Sequence, residues 1–578
     1  MSAKHRQVFL ASSLGLALLL ASCQPAVAPT PAAPAATAAP APAATRAPAP
    51  AATTAPAAPA ATPRPTAVAP APAPAAETPK TGGILRIGAV SNPGSFDPQQ
   101  ETSINVTMLL SPVFNNIVQY DDATGSKIVP ALAESWTSSA DGTVFTFKIR
   151  KGVKYHDGSE VTPQDIVFNT GRIKTPPKGV RSNMEQFVRP VKSVEVVNGD
   201  SVKFTLDFPY AVFLPILAHD YYPIYPQKVI EAKGDMKTTA IGSGPFMYKS
   251  YTPGVSFELV KNPNYWDKGK PYLDGVTFPI LTDRSTYIAA HRTGQIHRSA
   301  KVFGALTPSE QSALKTSNPA WQFFQSASNL SPWIQLNVTE SSPFKDVRVR
   351  KAVSLGMDRY AAFKVLAEGQ GKLGGLFSSL GDYGLSQDEL AKLPGFAKDK
   401  NAEIAQAKKL LADAGHPNGF DLKIMSRTNQ ITRDTATFMA AQMQNIGINA
   451  TVDLQQDTEF FTRQSVTRYQ MLAYTPIDTI PDPHWMMRYV LEGTTLVKTG
   501  ISDPKIDQLI DAQVREPNVQ KRQVITRELE KYVLTEALHT IPVVWPITYV
   551  AVAPKVRGYT GGISDFVVNR LTNVWLAP

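Results

Sequence analysis

Residues 81–578 predict an α/β fold, and three observations carry that expectation. Helix and strand periods alternate through the second half, hairpin signals concentrate in the first, and the length exceeds what one hydrophobic core supports. The second half supplies the deciding pattern. "NAEIAQAKKLLADAG" sets Ile404, Ala407, Leu411 and Ala414 on one helical stripe, with Gly415 as the stop and Pro417 just beyond. The strand "FDLKIM" follows, then a helix through "TATFMAAQMQNIG" that stops at Gly447, then the alternating "INATVDLQQ". Strand, helix, strand at that spacing is a crossover unit and predicts parallel pairing.

In the first half, "VKSVEVVNGDSVKFTLDF" places Asn198-Gly199 between two alternating runs, and "ESWTSSADGTVFTFKIR" does the same around Asp141-Gly142. Both read as hairpins, because Asn-Gly and Asp-Gly accept the positive φ of a tight turn. In "VTPQDIVF", Thr162 is the expected N-cap, Pro163 the first helical residue and Asp165 the side chain that reaches back.

Ahead of this body lie two segments of different character. Lys4, His5 and Arg6 precede an apolar run from Val8 to Leu20, the pattern of an export signal and too short to span a bilayer comfortably. Cys23 is the only cysteine in 578 residues, which excludes a disulfide framework and a thiolate metal cluster. "LASC" at 20–23 resembles the lipobox of bacterial lipoproteins, in which the cysteine is acylated and becomes the new N-terminus. That resemblance implies a signal peptide over 1–22, lipidation at Cys23 and anchoring at the membrane; an ordinary signal peptide with an incidental cysteine is the plainer alternative. Residues 24–79 hold 16 prolines in 56 positions, mostly among Ala and Thr. Such a composition has little apolar surface to offset its ordering entropy and predicts a disordered stalk. At about 3.1 Å per residue, its polyproline reach is on the order of 170 Å.

Charge and chemistry narrow the function by exclusion. The first eighty residues carry five cations and one acid, so the net charge of +10 leaves only +6 on the body, thin support for nucleic-acid binding. His291 and His297 are six apart and do not share a helix face, so a zinc pair is not predicted. No phosphate-cradling glycine loop and no nucleophile elbow is present. His156-Asp157 adjoins Gly158 and reads as a turn before the Thr162 cap. No enzyme, cofactor or metal is assigned.

Five stretches in order resemble the family 5 extracytoplasmic solute-binding proteins, the peptide, opine and nickel-chelate receptors of ABC importers. They are "ALAESWTSSADGTVFTFKIRKGVKYHDGSEVTPQDIVF", "GSGPFMYKSYTPGVSFELVKNPNYWDKGKPYLDGVTF", "SPFKDVRVRKAVSLGMDRYAAFKVL", "AKKLLADAGHPNGFDLKI" and "IPDPHW". Most of their residues read as structural: Gly242, Gly244 and Pro245 shape a bend, Asp358 caps a helix, and Tyr265-Trp266 packs. The resemblance implies a periplasmic-binding-protein-like type II fold, with two lobes around a cleft that closes on ligand. Lobe I would take 81–330 plus 532–578, with a subdomain near 121–232; lobe II would take 331–531; the stalk and anchor would occupy 23–80. The implied partners are a small-molecule or peptide solute and the permease subunits of an importer. The implied state is a monomer held at the outer face of the cytoplasmic membrane.

Two departures bear on ligand class. Asp478 stands four residues before Asp482, one more than the gap implied for the acid that meets a peptide's α-ammonium, and "GQIH" puts His297 where relatives carry an acid. Trp333, Trp485 and Trp545 suit stacking on a sugar or other flat solute equally with core packing. Asp478, Trp485, Trp333, Trp545, Arg427 and Tyr474 are therefore the ligand-binding candidates. Three readings stand: a receptor for peptides or peptide-like solutes with an oligosaccharide binder as its variant, a surface-anchored hydrolase, and an adhesive surface protein.

Overall fold

A computed structural model describes residues 77–578, apart from 101–103, 122–124, 181, 183, 328–330, 477–479, 492–497 and 562–569. The expectations for residues 1–76, including Cys23 and the stalk, lie outside the described residues. No helix among them is long and apolar enough to cross a membrane.

The predicted α/β pattern is present, and its local causes are visible. Both hairpins form, joining Ala133–Ser138 to Val144–Ile149 and Val191–Val197 to Ser201–Leu206 in one four-stranded antiparallel sheet. Asn198 and Gly199 sit at φ 52° and 75°, the left-handed values that make this turn selective for Asn-Gly. The helix Pro163–Lys174 starts with the expected reciprocal cap between Thr162 and Asp165. Gly242 and Gly244 lie so close to the backbone at Val113 that a Cβ at either would stand 2.1–2.5 Å from a carbonyl oxygen. Their conservation of space lets the bend before Phe246–Thr252 seat against that backbone. Asp358 caps the helix Arg359–Leu366 through the amide of Ala361.

A second four-stranded sheet runs in the order Ile84–Arg86, Gly275–Pro279, Ser256–Lys261, Phe246–Thr252. Its core also takes up Val550, Ala551, Val552 and Val574 from the C-terminal end.

The second half builds a five-stranded sheet in the order Asn449–Gln455, Asp421–Arg427, Met471–Tyr474, Trp333–Leu336, Thr540–Pro542. Asp421–Arg427 pairs in parallel with both its neighbours, as the crossover spacing predicted for one of them. Two adjacent connections link this sheet to a three-stranded one. One runs from Gln322–Ala327 into Trp333–Leu336 and the other from Thr540–Pro542 into Val544–Val552. They are tied to each other where the Val543 amide donates to the Pro332 carbonyl at 2.9 Å and the Ser331 hydroxyl to the Val544 carbonyl at 2.7 Å.

Candidate functional site

In an open sheet with parallel strands, ligands bind outside the carboxyl ends, where consecutive connections leave to opposite sides. Here that point lies between Asp421–Arg427 and Met471–Tyr474. The chain leaves Arg427 to one side, forms Asn449–Gln455, and returns to the other side as Met471–Tyr474. Arg427 and Tyr474 are the last residues of those two strands.

Arg427 is already engaged. Its Nε and Nη2 donate to the two carboxylate oxygens of Asp457 at 2.8 and 2.5 Å, and its guanidinium lies 5.2 Å from the Phe461 ring. The hydrogen bond from Arg427 holds the Asp457 carboxyl below its ordinary value despite partial burial. Tyr474 is buried, lies parallel to Phe460 at 6.3 Å, and stands opposite Trp333 in register.

From Tyr474 the chain runs to Asp482, which caps the short helix Pro483–Met486 by accepting from the His484 amide, with Pro483 at the first helical position. The same carboxylate receives Arg522 in a two-pronged pair, Nη1 to Oδ2 and Nη2 to Oδ1 at 2.5 and 2.7 Å. Burial opposes the Arg522 charge, yet the carboxylate outweighs it and holds the guanidinium above its ordinary value. Gln513 spends its side-chain oxygen on Arg522, so its amide nitrogen donates to His484 Nδ1 at 2.8 Å. That fixes the tautomer: Nε2 carries the proton and donates to the Tyr210 hydroxyl at 3.3 Å. Burial first, then Arg488 and Arg522, push the His484 imidazole well below its ordinary value, so it is neutral.

This network sets the next residue. Trp485 stacks on Phe187 at 4.5 Å with planes 4° apart and on His219 at 4.9 Å and 13°. His219 in turn stacks on Tyr221 at 5.0 Å and accepts its amide at Nδ1. Burial lowers the His219 imidazole to about 3, so the whole stack is uncharged. A side chain from the second half is thus clasped by aromatic rings from the first. Among the described residues the arrangement joins stacked rings to paired charges and sets no nucleophile beside a base.

The chain matches the model of bacterial extracellular solute-binding proteins, family 5 (Middle), over residues 127–496. The chain belongs to this family. Di/tripeptide-binding protein 2 of Pseudomonas aeruginosa is 26% identical over 83% of this chain and 92% of its own length. Heme-binding protein A of Haemophilus influenzae is 25% identical over 81% and 88%. Among solved structures, the periplasmic binding protein DppA from Helicobacter pylori, in complex with the peptide STSA, superposes with a TM-score of 0.76. It covers 86% of this chain and 99% of that one at 24% identity, a likeness of fold. Solute-binding proteins of family 5 are extracytoplasmic binding receptors of ABC importers, not enzymes.

Against this family 5 framework the predicted residues divide. Trp333, Tyr474 and Trp545 come together: Trp333 stands opposite Tyr474 and meets Trp545 edge-on at 6.4 Å. Both of those indoles are buried, and their N–H groups are used internally, on the Ser331 hydroxyl and the Gly375 carbonyl. Trp485 shares a hydrophobic core with Trp333 and Trp545 but makes its ring contacts with Phe187 and His219. Asp478 lies outside the described residues. Among the described residues no group of three or more His, Cys, Asp or Glu is placed to hold a metal ion. Sequence reasoning passed over Phe187, Tyr210, His219, His484, Gln513 and Arg522. The one legible clue was Asp482-Pro483, a cap followed by a first-turn proline.

Proposed function

We propose that the protein is a lipid-anchored receptor that captures a peptide or peptide-like solute in a cleft between two lobes and hands it to an ABC importer. The observation that carries this reading is the clasp of Trp485, a side chain of the second half, by Phe187 and His219 of the first. The two tied connections at Pro332 and Val543 serve as the hinge, since a pair of short crossings can absorb a rotation in a few dihedrals. The relative named for di- and tripeptides, and the likeness to a peptide complex, support the peptide class. In that class Asp478 receives the ligand ammonium. The concentration of uncharged rings around Trp485 favours a second reading, a flat or sugar-like solute held by stacking.

Cys23 serves as the lipid attachment, and residues 24–79 as the stalk that lets the body sample the medium beside its permease. Metabolic labelling with an alkyne fatty acid checks this: Cys23→Ser loses the label, and a variant labelled like wild type refutes the anchor. Mass spectrometry of solute carried through native purification, followed by calorimetric titration, checks the ligand class. For an aminated ligand, Asp478→Asn weakens binding by about 3–5 kcal/mol if the charges are buried together. An unchanged affinity removes Asp478 from the site. A neutral ligand whose binding fails only in Trp485→Ala moves the assignment to stacked solutes.

A further inference from the structure

At the opposite ends of the same strands lies a second concavity. It encloses about 490 Å³ and is lined by Asn337, Ser341, Lys423, Arg463, Arg468 and Gln470, with Met425 and Asp453 also on its wall. Lys423 is near the start of Asp421–Arg427, Gln470 directly precedes Met471–Tyr474, and Asn337 directly follows Trp333–Leu336. The pocket therefore opens at the amino ends of the parallel strands, where Lys423 lies about 13 Å along the strand from Arg427, and reaches inward as far as Met425 and Asp453. Its lining shares no residue with the site described above.

Its polar atoms can be accounted for one by one. Asp453 is the one carboxylate on the wall, and both its oxygens are taken, by Gln455 Nε2 and by Arg463 Nη1. Asn337 is saturated: its amide nitrogen donates to the carbonyls of Thr467 and Tyr469, and its oxygen accepts from Thr339. Gln470 spends its oxygen on the Lys423 amide at 2.7 Å, which leaves its NH₂ group as a donor. Arg463 donates Nε to the Arg468 carbonyl at 3.1 Å, while the Arg468 amide donates back to the Arg463 carbonyl at 2.9 Å. These bonds hold the turn in which Thr467 adopts φ 60°, so the wall that carries Arg468 is fixed rather than loose. Tyr469 donates its hydroxyl to the Lys498 carbonyl, and the Ser342 oxygen accepts from the Phe344 amide. What remains uncommitted among the described residues is Arg463 Nη2, the Arg468 guanidinium, the Lys423 ammonium and the Gln470 amide, with the O–H groups of Ser341, Ser342 and Thr467. The first four can only donate, and three of them carry positive charge.

A concavity with donors in excess, cations unbalanced and its one carboxylate already paired is complementary to a small oxyanion. We propose that this pocket binds a phosphate-type anion, at a site distinct from the transport cleft. The same chemistry could be presented as free phosphate or as a lipid headgroup, and the test separates them.

Lys423 and Arg468 are exposed, so Lys423→Ala/Arg468→Ala tests the site without cutting into a core. Full-length protein is titrated with inorganic phosphate by calorimetry, at ionic strength held constant with chloride. The expected result is saturable binding by wild type that weakens at least about tenfold in the double variant, as the loss of two charge-assisted contacts requires. In a second arm, flotation with phosphatidylglycerol vesicles is compared with phosphatidylcholine, both proteins carrying Cys23→Ser to remove the anchor. Flotation on the anionic vesicles that the double variant loses assigns the anion to a headgroup. Absence of variant-sensitive binding in both arms, or phosphate binding undiminished in the variant, overturns the proposal.

Discussion

Replacing Asp482 with asparagine removes the negative charge from a pair whose side chains are 8% and 4% exposed, while leaving the shape of the residue nearly unchanged. Arg522 then keeps its full charge in a buried site. Tyr383 lies 5.4 Å from it and Gln513 remains bonded to it, and neither supplies an anion. Breaking a buried pair on one side costs about 3–5 kcal/mol, whereas neutralising both sides costs much less because no unpaired charge is left. The Asn oxygen can still cap His484, so the capping contribution of about 1 kcal/mol is largely retained and the loss isolates the ion pair. Asp482→Asn is therefore expected to lose about 3–5 kcal/mol in urea unfolding followed by tryptophan emission, and Asp482→Asn/Arg522→Gln to recover at least about half of that. The loss should be nearly the same in low and high salt, since a pair this buried is poorly screened. A loss below about 1 kcal/mol, or one that salt abolishes, would mean the pair is solvated and does not fix the segment bearing Trp485.

Burial lifts the Glu530 carboxyl to about 7 against the amides of Leu385, Phe377 and Leu376, so its contribution to stability is full below about pH 4.5 and is lost as pH rises through 7. Buried histidines such as His219 and His539, both lowered to about 3, act in the other direction; wild type must therefore be compared with Glu530→Gln, which should gain melting temperature at pH 8 relative to pH 5. An equal difference at both pH values would refute it. Gln335 and Thr540 face each other across two strands, both fully buried, with their side-chain polar atoms unbonded; Gln335→Met/Thr540→Val should be neutral or stabilising by thermal melt, and a loss above about 2 kcal/mol would show that they are satisfied in solution. Deleting residues 29–76 should leave the unfolding of the body within about 1 kcal/mol, and a larger loss would mean that the tail packs on it.

The parts of this fold that could be read from the sequence are those whose cause is local. Thr162 and Asp165 are three residues apart, Asn198-Gly199 makes its own turn, and the stripe from Ile404 to Leu411 needs only the helical period. The parallel pairing of Asp421–Arg427 with Asn449–Gln455 follows from the length of the helix between them. The site is different, because its partners are chosen by tertiary packing. Asp482 meets Arg522 forty positions on, and His484 meets Tyr210 at a separation of 274. Nothing in "IPDPHW" says which arginine or which tyrosine will arrive. Arg427 was a fair candidate at a strand end, yet Asp457, at the start of the helix Asp457–Ser465, takes its guanidinium. The tryptophans show the same limit: composition says that large rings are available, while only tertiary packing sets Trp333 against Trp545 and Trp485 against Phe187 and His219.

That distinction bears on how binding would work. Trp485 has its ring against Phe187 and His219, so the clasp itself contributes to holding these parts of the two halves together. If the proposed cleft closure holds, a solute that merely fills space beside the stack gains from it without touching it, because closure is then partly favoured in advance. Truncating Trp485 would in that case weaken every ligand by the same factor, through the closing equilibrium alone. A solute that replaces one ring of the stack would instead lose affinity in proportion to its own aromatic or planar surface. The two mechanisms therefore differ in how the Trp485→Ala penalty varies across a ligand series, and a flat penalty would place Trp485 in the latch while a graded one would place it in the binding surface.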